Sequence, residues 1–146
     1  MLHYSELFEE FEKAKGKDQK RQLAQKICFE LKIHTILEEE IFYPACEGKV
    51  EEDLLKEAYV EHDAAKVLIG EIEESAPDAE FYDAKVKVLS EEIGHHVKEE
   101  EKRLTGVFSQ ARRAGLDLEQ LGAQIDRKST RLNSSHQCLS RMPSSA

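Results

Sequence analysis

Apolar residues recur along this chain at three- and four-residue intervals, the spacing of one face of an α-helix. Residues 2–15 predict a first helix with Tyr4, Phe8 and Phe11 on one side. Gly16-Lys17-Asp18 interrupts the pattern, and Asp18 is expected to cap the next helix. That second helix is predicted over 19–42, with Leu23, Ile27, Leu31, His34, Glu38 and Ile41 on its stripe. Pro44 and Gly48 are expected to end it. A third covers 51–74 along Leu55, Ala58, His62, Ala65, Ile69 and Ile72. After the turn residues Ser75-Ala76-Pro77-Asp78, a fourth runs over 79–114 along Val86, Leu89, Ile93, His96, Glu100, Leu104 and Val107. Gly115 suits its C-cap, and Asp117 with Gln120 resembles a capping box for a short fifth helix. Four amphipathic helices with short connections predict an all-α, up-down-up-down four-helix bundle.

Polar residues sit inside three of these apolar stripes. His34-Thr-Ile-Leu-Glu38 and His96-Val-Lys-Glu-Glu100 repeat one His-x-x-x-Glu pattern. That spacing sets both side chains on one helix face, one turn apart. His62 lies on the core face of the third helix. Antiparallel packing would bring the five groups together. An unpaired carboxylate is costly to bury, and a metal ion removes that cost. Imidazole together with carboxylate suits iron, zinc or manganese.

Other patterns carry less. Glu92-Ile-Gly-His95 is a single Glu-x-x-His, whereas a ferritin-like site needs two. His95 and Glu99 share the four-residue spacing but point away from the stripe, so His95 is expected at the surface or supporting the ligands from outside. Glu39, Glu40, Glu99 and Glu101 are expected to form solvated faces. A cysteine-rich structural zinc set, a Ser-His-Asp set, a phosphate loop and a dinucleotide motif are all lacking.

Composition narrows the partners. The net charge of the 146 residues is -9. Residues 126–146 carry +3, which leaves -12 on the first 125. Such acidity argues against nucleic acid or an anionic membrane as a partner. No apolar run is long enough to span a bilayer. Cys28, Cys46 and Cys138 form an odd set without Cys-x-x-Cys spacing, which points to a reducing compartment and a cytoplasmic location. Cys28 and Cys46 read as buried or incidental rather than as ligands.

Helical periodicity stops at Asp126, where Ser, Arg and Asn take over. DRKSTRLNSSH corresponds, in one reading frame, to a common sequencing-library adapter. The expected organisation is therefore a metal-binding bundle over 1–125 and a non-native, disordered, adapter-derived tail over 126–146. His136 and Cys138 stand apart from every site argument for that reason.

The ordered set of His-x-x-x-Glu, lone His and His-His-x-x-x-Glu resembles the hemerythrin-like HHE cation-binding family. The likeness covers 7–125, most strongly in LFEEFEKA, IHTILEEEIFYPA, the EHD around His62, and HHVKEEE. It implies two non-haem iron ions inside the bundle, with Glu38 and Glu100 bridging, His62 and His96 on one iron and His34 on the other. Members carry a further His on the first helix, seven residues before the Phe that matches Phe8. That position is Met1 here, and His3 lies about 200° around the helix from it. An incomplete start is therefore expected. The aromatic-proline pair that members carry after the last acidic run is replaced by Thr105-Gly106 nearby.

The expected function is binding or sensing of O2 or NO, or iron handling, at a di-iron centre. An enzymatic role (NO or peroxide reduction, or iron donation for cluster repair) ranks below it, because no separate acid-base group or substrate pocket can be read. A metal-free interaction bundle is the third reading.

Overall fold

The computed structural model describes residues 2–102 and 107–140, with side chains over 4–100, 109–117 and 119–134. Within them the chain is helical, without a strand: α1 Leu2–Lys13, α2 Lys17–Leu37, a π turn Glu38–Phe42, α3 Tyr43–Cys46, α4 Glu52–Glu74, α5 Tyr82–Lys102, α6 Val107–Arg113 and α7 Leu118–Ser140. Helices α1 and α2, α2 and α4, α4 and α5, and α5 and α1 pack against one another, which closes the ring of a four-helix bundle. No helix among the described residues is long and apolar enough to cross a membrane.

The stripes that build the core follow the sequence closely in α4 and α5. All six stripe residues of α4 are buried. In α5, Tyr82 joins Val86, Leu89, Ile93, His96 and Glu100 inside. Each apolar residue buried this way contributes about 1.5–3 kcal/mol. Leu104 of the expected stripe lies outside the described residues, and so does the Thr105-Gly106 departure.

Two apolar clusters result. One holds Leu7 and Phe11 with Ile27, Leu31, Ile69 and Leu89 among its members. The other gathers Phe42, Tyr43, Cys46, Val50, Leu55, Ala58 and Ala111, with Leu116, Leu121 and Ile125 packed on it. Along the chain, His34 and Glu38 fall between Leu31 and Phe42, and His62 falls between Ala58 and Ala65. The polar residues therefore form a layer between the two clusters.

Helix termini depart from expectation in two places. Gly16, not Asp18, is the N-cap of α2, and Asp18 lies in its first turn. Pro44 does not end the second helix: the path widens into the π turn and continues as α3 with Pro44 in its first turn, where a missing N–H is tolerated. The run stops at Cys46, and Gly48 takes a left-handed φ of 76°. The π turn also shifts the stripe, so Phe42 and Tyr43 are buried in place of the half-buried Ile41.

Gly115 (φ 84°) closes α6 as expected. The Leu116 N–H donates to the Ala111 carbonyl at 3.1 Å and the Gly115 N–H to the Arg112 carbonyl at 3.1 Å, a paired C-terminal cap. The Asp117 side chain accepts the Gln120 N–H at 3.1 Å. The helix it starts is not short. It runs on to Ser140, so residues 126–140 are helical rather than disordered. Leu121 and Ile125 anchor its early turns. Further on, the Thr130 hydroxyl donates to the Asp126 carbonyl, and Lys128 pairs with Glu40 of the π turn. Glu40 itself is exposed, as expected.

Candidate metal centre

Ligating atoms of His34, Glu38, His62 and His96 all lie within 4.8 Å of one another. Glu38 is the hub. Its Oε1 contacts His34 Nε2 directly, and stands 3.5 Å from His62 Nε2 and 3.9 Å from His96 Nε2. The two Nε2 atoms of His62 and His96 are 3.2 Å apart. Glu100 joins through its Oε1, 3.0 Å from His96 Nε2. The five residues expected to meet in the core therefore do meet, four of them buried and His34 half-buried.

Three features of this cluster are not visible in the sequence pattern. The Tyr43 side chain is fully buried, and its hydroxyl donates to Glu100 Oε1 at 3.0 Å, with His62 Nε2 at 3.4 Å. In a regular α-helix Tyr43 would face about 140° away from Glu38. The Tyr43 N–H instead bonds the Glu38 carbonyl, one residue further than α-helical pairing, and the wider turn brings the phenol round. Glu39 is the second feature and a correction. It is not on a solvated face, because its Oε2 lies 3.0 Å from His62 Nδ1, and Lys66 Nζ reaches its Oε1 at 2.9 Å. Glu61 is the third: its Oε2 contacts His96 Nδ1 directly. Only adjacency to Glu38 and His62 marks Glu39 and Glu61 in the sequence, and neighbours on a helix ordinarily face different ways.

From the first helix, Tyr4 reaches the centre. Its ring stands edge-on to His34 at 5.8 Å, and its hydroxyl donates to the Glu30 carbonyl. Met1 and the side chains of His3, Glu101, His136 and Cys138 lie outside the described residues. His95 is exposed, as expected, on a cleft wall with Glu57, Glu61 and Glu99. Cys28 and Cys46 are buried free thiols and do not belong to the ligating group.

The electrostatics match a site built for positive charge. Burial pushes the Glu38 carboxyl up, but the imidazoles of His34, His62 and His96 outweigh it and hold the group well below the carboxylate range. Burial opposes charge on His96 too, yet Glu100, Glu38 and Glu61 push it up to about 11. Burial and the nearby Glu38 raise the Glu100 carboxyl against the pull of His96. Burial, then Glu38 and Glu100, push the Tyr43 hydroxyl far up, so it stays a hydrogen-bond donor.

Both oxygens of Glu38, Oε2 of Glu100 and Nε2 of His34 are buried without a well-formed hydrogen bond among the described residues. Buried polar atoms are normally satisfied. Glu92 Oε2 shares that condition, and the other four atoms all belong to residues of the centre. The donor set thus fits a cation of borderline hardness.

The family model for the hemerythrin HHE cation binding domain matches residues 2–107. No curated protein and no solved structure matches the chain.

Proposed function

The chain belongs to the hemerythrin HHE cation-binding family, and we propose that it holds two non-haem iron ions and uses them to bind or sense O2 or a related small ligand such as NO. The observation that carries the reading is the set of orphaned carboxylate and imidazole atoms buried between two apolar clusters. His62 and His96, side by side, suit one iron, and His34 suits the other. Glu38 and Glu100 would hold the iron with them, each having an oxygen without a hydrogen-bond partner among the described residues. Bound iron would supply a coordination position and electrons for a diatomic ligand.

The protein's own part is to hold and to exclude. Leu31, Ile69 and Leu89 close one side of the layer, and Tyr43 with Phe42 closes the other. Water is kept out, which slows irreversible oxidation of a reduced centre. The Tyr43 hydroxyl holds its proton against Glu100 and fixes that carboxylate's rotamer.

Anaerobic reconstitution with Fe(II), metal analysis and optical spectra before and after O2 test the proposal. About two irons per chain and a new visible band on exposure to O2 are expected. The Glu38→Gln, Glu100→Gln double variant should lose paired iron while keeping its helical signal. Two irons retained by that variant would overturn the site assignment. An unchanged spectrum in wild type on adding O2 and NO would overturn the ligand assignment.

A further inference from the structure

We infer that Glu39 and Glu61 are positioning residues of this centre: each carboxylate accepts the Nδ1 proton of one histidine and thereby aims that histidine's Nε2 at the cation. The inference rests on the metal reading above and extends it to residues outside the ligand set.

An imidazole can ligate through either nitrogen, and the partner of one nitrogen decides what the other does. His62 and His96 are both buried, so no water is at hand to make that choice. Glu39 Oε2 stands 3.0 Å from His62 Nδ1, and Glu61 Oε2 contacts His96 Nδ1. With both Nδ1 atoms occupied, both Nε2 atoms converge at 3.2 Å from each other and face Glu38.

The braces pass from element to element. Glu38 faces the centre, and Glu39, beside it in the π turn, reaches across to the histidine of α4. His62 faces the centre, and Glu61, beside it in α4, reaches across to the histidine of α5. The π turn and α4 thus each supply a ligand and, one residue away, the brace for the next element's ligand. Lys66, one turn beyond His62, grips both oxygens of Glu39 at 2.9 and 2.8 Å and holds that brace in turn. A displacement of α4 against its neighbours would therefore misdirect two histidines at once.

Zinc(II), which is diamagnetic and redox-silent, serves as the probe on the full chain. Competition titrations should give Glu39→Gln and Glu61→Gln each a Kd about 10–100-fold weaker than wild type, with unchanged stoichiometry. Glutamine keeps an acceptor oxygen and the side-chain volume, and circular dichroism checks that each variant folds. In the zinc-loaded protein, the Nδ1–H resonance of His62 should move upfield and exchange faster in Glu39→Gln, and that of His96 in Glu61→Gln, because a neutral amide oxygen accepts more weakly than a carboxylate. Lys66→Met should weaken binding through Glu39 and add nothing in the Glu39→Gln background. A purely structural role would lower the melting temperature and leave the Kd of the folded chain unaltered. Kd values within two-fold of wild type in both glutamine variants would overturn this inference alone. Wild-type protein that binds neither zinc(II) nor Fe(II) would overturn the metal reading and this inference with it.

Discussion

Replacing Tyr43 with Phe isolates one buried hydroxyl. The ring stays: it is fully buried, with Tyr59 at 5.2 Å and His62 at 5.4 Å between centroids. Only the hydroxyl goes, and with it the 3.0 Å bond to Glu100 Oε1 and the longer 3.4 Å contact with His62 Nε2. Hydrogen bonds to charged groups contribute about 1.5–3 kcal/mol, and Glu100 already has one oxygen without a partner. The variant therefore leaves a buried carboxylate with one donor fewer. We expect a loss of about 2 kcal/mol, equivalent to roughly 4–8 °C in Tm for a chain of about this length. Tyr43→Ala should cost about 3–5 kcal/mol in total, because it also opens a cavity. Urea titrations with EDTA present, followed by circular dichroism, give both numbers if unfolding is two-state. A Tyr43→Phe variant within about 0.5 kcal/mol of wild type would refute the reasoning, because the buried bond would then be contributing nothing.

Metal-free stability should depend on pH in a defined direction. His96 is raised from 6.5 to about 11 in the fold, so its contribution is whole below about pH 6.5 and is lost as pH climbs toward 11. The depressed Glu38 contributes above the usual carboxylate range and is lost in acid. The urea midpoint in EDTA should therefore fall between pH 7 and 10, and a rise over that interval would contradict the assignment. Burial pushes the Cys28 thiol up to about 12 and the Cys46 thiol up to about 11. Peptide mapping after brief alkylation at pH 8 should find both unmodified in the native chain and modified in denaturant. Ending the chain after Ile125 removes no buried side chain among the described residues, and it keeps Leu121 and Ile125. Metal stoichiometry should be unchanged and Tm should fall by no more than a few degrees; loss of metal would place part of the functional unit in 126–146. Gly115→Ala forces an L-residue to φ 84° and should cost about 1 kcal/mol, read as a lower urea midpoint.

The sequence by itself determined the helices and most of their inward faces. In α4 the expected stripe and the buried residues are the same six, because burial in a bundle is set by a period that each helix carries in its own residues. His34, Glu38, His62, His96 and Glu100 were legible for the same reason: a polar residue on an apolar stripe stands out without any knowledge of its neighbours. What tertiary structure decided is whatever depends on a change of period or on a partner from another helix. The π turn at Glu38–Phe42 breaks the regular spacing, so Tyr43 turns inward and Glu39 turns toward α4, against the α-helical pattern. Glu61 meets His96 only because α4 and α5 pack side by side, and thirty-five positions of sequence separate the two. The helix over 126–140 is the same kind of case. Ser, Arg and Asn replace the apolar stripe there, but Leu121 and Ile125 dock the early turns of α7 and Lys128 meets Glu40 across the chain. Local pattern reports what a residue would bury, and only packing of the helices reports which residue it meets.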